Sequence, residues 1–354
     1  MDVVFIINPG STSTKVAIAN RDGLIDEKEV QHPREELAKF PNVADQLALR
    51  METVRAALLA WYTPDRTLIG IVGRGAPLKP LTGGTYQITE AMLDDVRSAK
   101  FSNHASNLGS MLADAIAKQY SLPAFVVDPV TVDEFPSEVR LSGDPEIPRL
   151  CRWHALNLRA CARLAAAQLG KPLSDTKFVA VHLGGGISIA ALLGGRVQDV
   201  NDGLLGMGPF SPERAGALPI GGVLKQAFSG RYTERQLIER YSRGSGFVAY
   251  LGTSDFRKVE QMMEAGDEKA ITVYKAFVWQ LVKEIGAMAA VLGGVDGIVR
   301  SGGLARSQRL LADVSQKTGW IAPNFDYPGE HEMSALAAGA FRVLDGKESA
   351  LTYQ

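Results

Sequence analysis

The chain has 354 residues, and its 38 Lys and Arg against 39 Asp and Glu leave a net charge of −1. That balance gives no electrostatic basis for nucleic acid or an anionic membrane as a partner, and no apolar run approaches the ~20 residues that cross a bilayer, so a cytoplasmic protein is expected. The length exceeds what one core usually serves, and 46% hydrophobic with 22% charged residues is ordinary globular composition, so two domains are predicted.

The first predicted elements are strands over residues 3–30. Val3-Val4-Phe5-Ile6-Ile7 reads as a buried strand stopped by Pro9-Gly10, and Val16-Ala17-Ile18-Ala19 is too short and apolar for an amphipathic helix. Between them lie Ser11, Thr12, Ser13, Thr14 and Lys15. The pattern lacks the Gly-Lys-Ser/Thr of a Walker loop and the three spaced glycines of a dinucleotide fingerprint, leaving a phosphate-binding hairpin or a plain polar hairpin tip. Apolar residues at Val43, Leu47, Met51, Val54 and Leu58 predict a helix from Asn42 to Tyr62. A short strand over Leu68–Gly73 then delivers Arg74 into a glycine-bearing loop. A helix over Ala105–Gln119 leads to a strand at Ala124–Val127 that ends in Asp128-Pro129. Ligands in open α/β sheets sit just past strand ends, which gives Arg74 and Asp128 a shared address.

Residues 134–153 carry Pro136, Gly143, Pro145 and Pro148, a breaker-rich crossing that predicts a division into 1–150 and 151–332. Cys151 and Cys161 match no zinc or redox spacing and are read as free thiols, the second within an Ala-rich helix from Trp153 to about Leu169. A second hairpin is predicted over Phe178–Leu192 around Leu183-Gly184-Gly185-Gly186. Setting Gly185 against Gly10 and Ser188 against Ser13 displaces one hairpin from the other by 175 residues, close to half the chain. Residues 203–219 have no periodicity, and ordered loops of that length are usually functional. Helices follow over residues 234–292, then a strand at Val295–Val299 turning at Gly302-Gly303, and a last helix over Glu332–Leu344. Paired phosphate hairpins resemble the superfamily of sugar kinases, actin and the heat-shock chaperone ATPases. The resemblance implies an α/β fold of two duplicated ribonuclease H-like domains with a nucleotide cleft between them, and a final helix, about 333–354, that packs back on the first domain.

Eight segments together resemble one family, the acetate and butyrate kinases, over nearly the whole chain. They are Asn8–Lys15, Gly73-Arg74-Gly75 with Gly83–Tyr86, Asp128-Pro129, His154-Ala155-Leu156-Asn157, His182–Gly186, Gly208–Arg214, Tyr250–Asp255 and Tyr327–Met333. The resemblance implies reversible transfer of the γ-phosphoryl group of ATP to a short-chain carboxylate, butanoate foremost, giving ADP and an acyl phosphate with Mg2+ present. It makes residues 1–150 the acceptor side and 151–332 the nucleotide side, in a chain that forms a homo-oligomer. It implies that Arg74 holds the acceptor carboxylate, that Arg214 braces the migrating phosphoryl group, and that His154 and His182 contact that group. Asp128 is placed beside acceptor and metal. Asn8, Ser11, Ser13 and Lys15 contact the acceptor-side phosphate, while Leu183, Gly184, Gly185, Gly186, Gly302 and Gly303 hold the nucleotide. Glu330 or Glu332, together with Asp128, supplies metal oxygens. The chain departs from the family pattern at Gly206-Met207-Gly208, Ser301 and His331.

The residue types suit that chemistry on their own. A carboxylate nucleophile is already anionic and needs no general base, so the task is to bring two anions together and stabilise an in-line transition state, which calls for arginines. Kinases for isobutyrate, propionate or acetate are alternatives, because one methylene changes binding by only about 1–3 kcal/mol. A sugar kinase would need an aspartate base where Arg74 is expected, and an actin- or chaperone-like ATP switch would hydrolyse ATP without a carboxylate.

Overall fold

In the computed structural model, which describes all 354 residues, Val3–Ile7 lie in β1 (Asp2–Pro9), buried on both faces. The chain reverses through Gly10–Thr12 into β2 (Ser13–Asn20) and again into β3 (Gly23–Gln31), both antiparallel. A single-turn helix, α1 (Arg34–Leu37), follows. The helix predicted from Asn42 begins as a 3-10 turn over Val43–Gln46 and becomes α-helical only in α2 (Leu47–Trp61), which buries Arg50, Met51, Val54, Ala57 and Leu58. β4 (Thr67–Arg74) runs parallel to β1. Next come β5 (Thr85–Gln87), α3 (Glu90–Arg97), whose first turn is capped by Thr89, α4 (Asn107–Tyr120), and β6 (Ala124–Val127). Gly73 and Gly109 let α4 lie backbone against backbone on β4; a Cβ at Gly73 would come within 2.2 Å of the Gly109 carbonyl oxygen.

Residues 134–153 hold no strand and only a short 3-10 turn, Ser137–Arg140. α5 (Ala155–Gln168) leads into β7 (Lys177–Leu183), β8 (Ile187–Leu193) and β9 (Arg196–Val200), again antiparallel. The stretch from Asn201 to Pro219 contains no helix or strand. Five helices follow: α6 (Ile220–Ala227), α7 (Glu234–Arg243), α8 (Gly246–Leu251), α9 (Phe256–Glu264) and α10 (Glu268–Val291). α10 carries Val273, Tyr274, Phe277, Leu281 and Ile285 into the core, where Phe277 meets Phe247 edge-on at 5.1 Å. No helix is long and apolar enough to cross a membrane. β10 (Gly297–Gly302), α11 (Gln308–Thr318) and β11 (Asn324–Pro328) complete this part. α12 (Glu332–Leu344) buries Met333, Leu336, Ala337, Ala340 and Phe341 against β1, β4 and β6, and β12 (Leu351–Thr352) pairs with β5.

The chain divides into two units, Met1–Asp133 with His331–Gln354, and Glu134–Glu330. The first holds a seven-stranded sheet in the order β12-β5-β6-β4-β1-β2-β3; the second holds five strands in the order β11-β10-β7-β8-β9. Read from β3, the run β3-β2-β1-β4-β6 repeats as β9-β8-β7-β10-β11, with the same parallel and antiparallel pairings. This is the duplicated actin-like ATPase topology. The two hairpins are not residue-for-residue copies: four residues lie between the paired Pro9 and Thr14, but three between Leu183 and Ile187. The simple displacement by 175 residues therefore does not hold through the turns.

Candidate active site

In the first unit the turn after β1 is closed by the Gly10 N–H donating to the Ser13 carbonyl at 2.8 Å. Beneath it sits the fully buried Arg50. Its Nη1 donates to the carbonyl oxygens of Gly10 and Ser13, both at 2.8 Å, and to Thr14 Oγ1, while Nη2 reaches the Ser11 carbonyl at 3.2 Å. Gln46 Oε1, one helical turn before Arg50, accepts from Nε and Nη2. Carbonyls drawn inward onto one guanidinium leave the Ser11–Ser13 segment at the surface. Burial without a carboxylate partner pulls the Arg50 pKa down from its ordinary value, and burial followed by the Arg50 charge does the same to His32, which bonds Thr14 Oγ1 at 2.9 Å. Lys15 stands half exposed, 4.0 Å from Glu29.

Arg74, at the end of β4, and Glu332, at the start of α12, are brought together although 258 residues separate them. Arg74 Nη2 lies 3.0 Å from Glu332 Oε1, and Asn8 Nδ2 donates to Glu332 Oε2 at 2.9 Å. Arg74 Nη1 is buried and has no hydrogen-bond partner. The Arg74 charge adds to burial in lowering the pKa of nearby His104. Asp128 follows β6 with φ 39°, a left-handed conformation costly for a residue with a side chain. Its Oδ1 accepts from the Gly84 N–H at 2.8 Å, and its own N–H donates to the Gly84 carbonyl at 2.9 Å. Glu330 lies exposed in the second unit, whereas Glu332 belongs to the first. No group of three or more His, Cys, Asp or Glu side chains is arranged to hold a metal alone.

In the second unit the rings of His154 and His182 stack at 3.7 Å with 10° between their planes. His154 precedes α5 and shares a hydrogen bond between its Nδ1 and Ser188 Oγ at 2.9 Å. His182 lies in β7, and Asn157 Nδ2 approaches its Nδ1 at 3.0 Å. The Gly184–Gly186 turn sits against two of the predicted side chains. A Cβ at Gly184 would lie 2.7 Å from His182 Nε2, and one at Gly186 would lie 2.5 Å from Arg214 Nη1, whereas Gly185 is exposed with open space around it. Arg214 donates from Nη1 to the Gly203 carbonyl. Burial lowers its pKa, opposed by the Glu213 and Asp202 charges. Ser211 ties this loop to the turn, its hydroxyl donating to the Gly185 carbonyl at 2.6 Å and accepting from the Arg214 N–H at 3.0 Å. β10 lies parallel to β7, and Gly302 ends it with φ 95° directly against the Leu183 backbone, with Gly303 exposed beyond.

The predicted residues thus form two constellations. Asn8, Ser11, Ser13, Lys15, Arg74, Asp128 and Glu332 belong to the first unit; His154, His182, Leu183–Gly186, Arg214, Gly302, Gly303 and Glu330 belong to the second. Sequence reading missed Arg50 and named Ser188, Ser211 and Asn157 within motifs without giving them a role. Arg50 did leave a signal, an arginine on the otherwise apolar face of a predicted helix.

The acetokinase family matches residues 149–326, half of the chain. A probable butyrate kinase of Clostridium botulinum (strain Alaska E43 / Type E3) is 44% identical over 351 residues, and one of Listeria monocytogenes serovar 1/2a (strain ATCC BAA-679 / EGD-e) is 45% identical, each alignment covering 99% of both chains. The crystal structure of Porphyromonas gingivalis acetate kinase superposes with a TM-score of 0.80 over 97% of this chain and 100% of that one, at 18% identity, a likeness of fold. On the family match and the full-length relatives, this chain belongs to the acetokinase family.

Proposed function

We propose that the protein transfers the γ-phosphoryl group of ATP to butanoate, giving butanoyl phosphate and ADP in a reversible reaction. The near-full-length identity to probable butyrate kinases supports this choice of acceptor. The observation that carries the chemistry is Arg74: one guanidinium nitrogen is held by Glu332 and the other, Nη1, is buried without a partner. A buried donor left unmade costs about 1–3 kcal/mol, and an incoming carboxylate removes that cost.

In this reading Arg74 fixes the acceptor so that one carboxylate oxygen forms its bond to the γ-phosphorus as the bond to the β–γ bridging oxygen breaks, with ADP as leaving group. Asn8, Ser11, Ser13 and Lys15 supply donors to the acceptor-side phosphate. The Leu183–Gly186 turn and Gly302-Gly303 hold the nucleotide with bare backbone. His154 and His182 donate to equatorial oxygens, and Arg214 balances the charge that spreads over them. Asp128 and Glu332 offer the hard oxygens that magnesium requires, and magnesium, which commonly keeps waters and nucleotide phosphates as its other ligands, would neutralise charge on the triphosphate when bound.

The test is acyl phosphate formation from MgATP, trapped with hydroxylamine, across acetate, propionate, butanoate, isobutyrate and valerate. Catalytic efficiency should peak at butanoate. A peak at another acid would keep the mechanism and change the substrate; silence across the panel, with ATP hydrolysis independent of carboxylate, would overturn the kinase reading. We also propose that the chain forms a homo-oligomer. α6 buries none of its residues, and Ile220 is 76% and the adjoining Phe228 86% exposed. Light scattering should give a multiple of the chain mass that falls to one chain in Phe228→Glu; a monomeric native protein sinks the proposal.

A further inference from the structure

Asn157 is buried in α5 and faces two groups at once. Its Nδ2 lies 2.9 Å from Ser301 Oγ and 3.0 Å from His182 Nδ1. An amide presents two N–H donors on nitrogen and only acceptors on oxygen, so which end faces the pair decides the histidine's tautomer. Ser301 supplies the answer. Its hydroxyl has one hydrogen, and that hydrogen is donated to the Gly329 carbonyl at 3.0 Å, a group that can only accept. Cys161, whose thiol burial pushes up to about 11, also lies within hydrogen-bond reach of that hydroxyl. Ser301 must therefore accept from Asn157, which turns the amide nitrogen toward both neighbours.

We infer that Asn157 is a positioning residue that sets the tautomer of His182, with Nδ1 bare and the ring proton on Nε2. The Nε2 side of the ring is the side against the phosphate turn, as the close approach to Gly184 demonstrates. The tautomer thus presents a hydrogen-bond donor where an equatorial oxygen of the transferring group would lie. A proton on Nδ1 would set N–H against N–H and lose the bond to Asn157. The His154 ring stacks on His182 at 3.7 Å and holds its plane. The functional part of this inference rests on the reading of His182 as a donor to the phosphoryl group.

The experiment is a long-range 1H–15N correlation spectrum of the full-length protein labelled with 15N-histidine, with His182 assigned by its loss in His182→Gln. The expected result is a His182 Nδ1 resonance in the unprotonated range and Nε2 in the protonated range; the reverse pattern in the native protein overturns the inference without any need for a variant. Asn157→Asp replaces the donor by an acceptor. It should move the proton to Nδ1 and lower kcat by about 100-fold, with KM for ATP and butanoate within about threefold. Asn157→Ala should leave the two tautomers mixed and kcat in between. An unchanged spectrum in both variants overturns the positioning role. A proton moved to Nδ1 with full kcat would leave the positioning role standing and remove His182 from the phosphoryl chemistry.

Discussion

The two hairpin turns occupy the same place in duplicated sheets, yet they are built on opposite plans. The Gly10–Ser13 turn presents hydroxyls and is held from below by a buried cation, Arg50, that gathers three backbone carbonyls. The Gly184–Gly186 turn has no side chain of its own, and two neighbouring side chains stand against it: His182 Nε2 beside Gly184 and Arg214 Nη1 beside Gly186. In the proposed reaction one turn would meet phosphate by what it carries and the other by what its bareness admits. The packing alone accounts for glycine at 184 and 186, where a Cβ would crowd His182 and Arg214.

Four tests sharpen or break that comparison. The largest effect is expected from Arg214→Ala, which should lower kcat by about 10³-fold while the ATP dissociation constant changes little, measured by single-turnover kinetics and calorimetry. Intact turnover with weakened ATP binding would make Arg214 a nucleotide ligand instead. Gly186→Ala comes next. Its Cβ would meet Arg214 Nη1 at 2.5 Å, so a loss of roughly 100-fold in kcat is expected, against unchanged thermal stability for Gly185→Ala, where the space is open. Equal melting temperatures and equal rates for the two variants would show that bareness is irrelevant.

Arg50→Met tests the other plan. It strips the Gly10, Ser11 and Ser13 carbonyls of a shared donor and should destabilise the protein by about 3 kcal/mol in denaturant titration, with a raised KM for the carboxylate. A fully stable variant would mean the turn holds its shape without the staple. The smallest pair is Glu332→Gln and Glu330→Gln. The first should raise the magnesium requirement about tenfold, since Glu332 is held by Asn8 and Arg74; the second, on an exposed residue, should stay within about twofold. The reverse ranking would move the metal-side carboxylate to Glu330.

Much of the fold was legible because its strands are extreme. Val3–Ile7 and Phe178–Val181 are unbroken apolar runs that only a doubly covered strand accommodates, and Pro9-Gly10 and Gly184–Gly186 end them without ambiguity. The last helix, Glu332–Leu344, was equally plain from its spacing. The short elements were not legible: β5, β9, β11 and β12 are two to five residues long, and α3 lies between elements that were predicted without it. Strands that short are specified by their neighbours' unpaired backbone groups more than by their own side chains.

Residue types and order along the chain settled the duplicated α/β design, the family and the kind of chemistry, because local chemistry punctuates the chain and a carboxylate acceptor demands cations near strand ends. Which groups meet was left to the tertiary structure. Nothing local joins Arg74 to Glu332, Arg50 to the carbonyls of residues 10–13, or Asn157 to both Ser301 and His182, since each contact closes only when separate strands and helices pack into one sheet layer. Hydrogen bonds and ion pairs act over about 3 Å, so their partners are set by where the backbone finally lies.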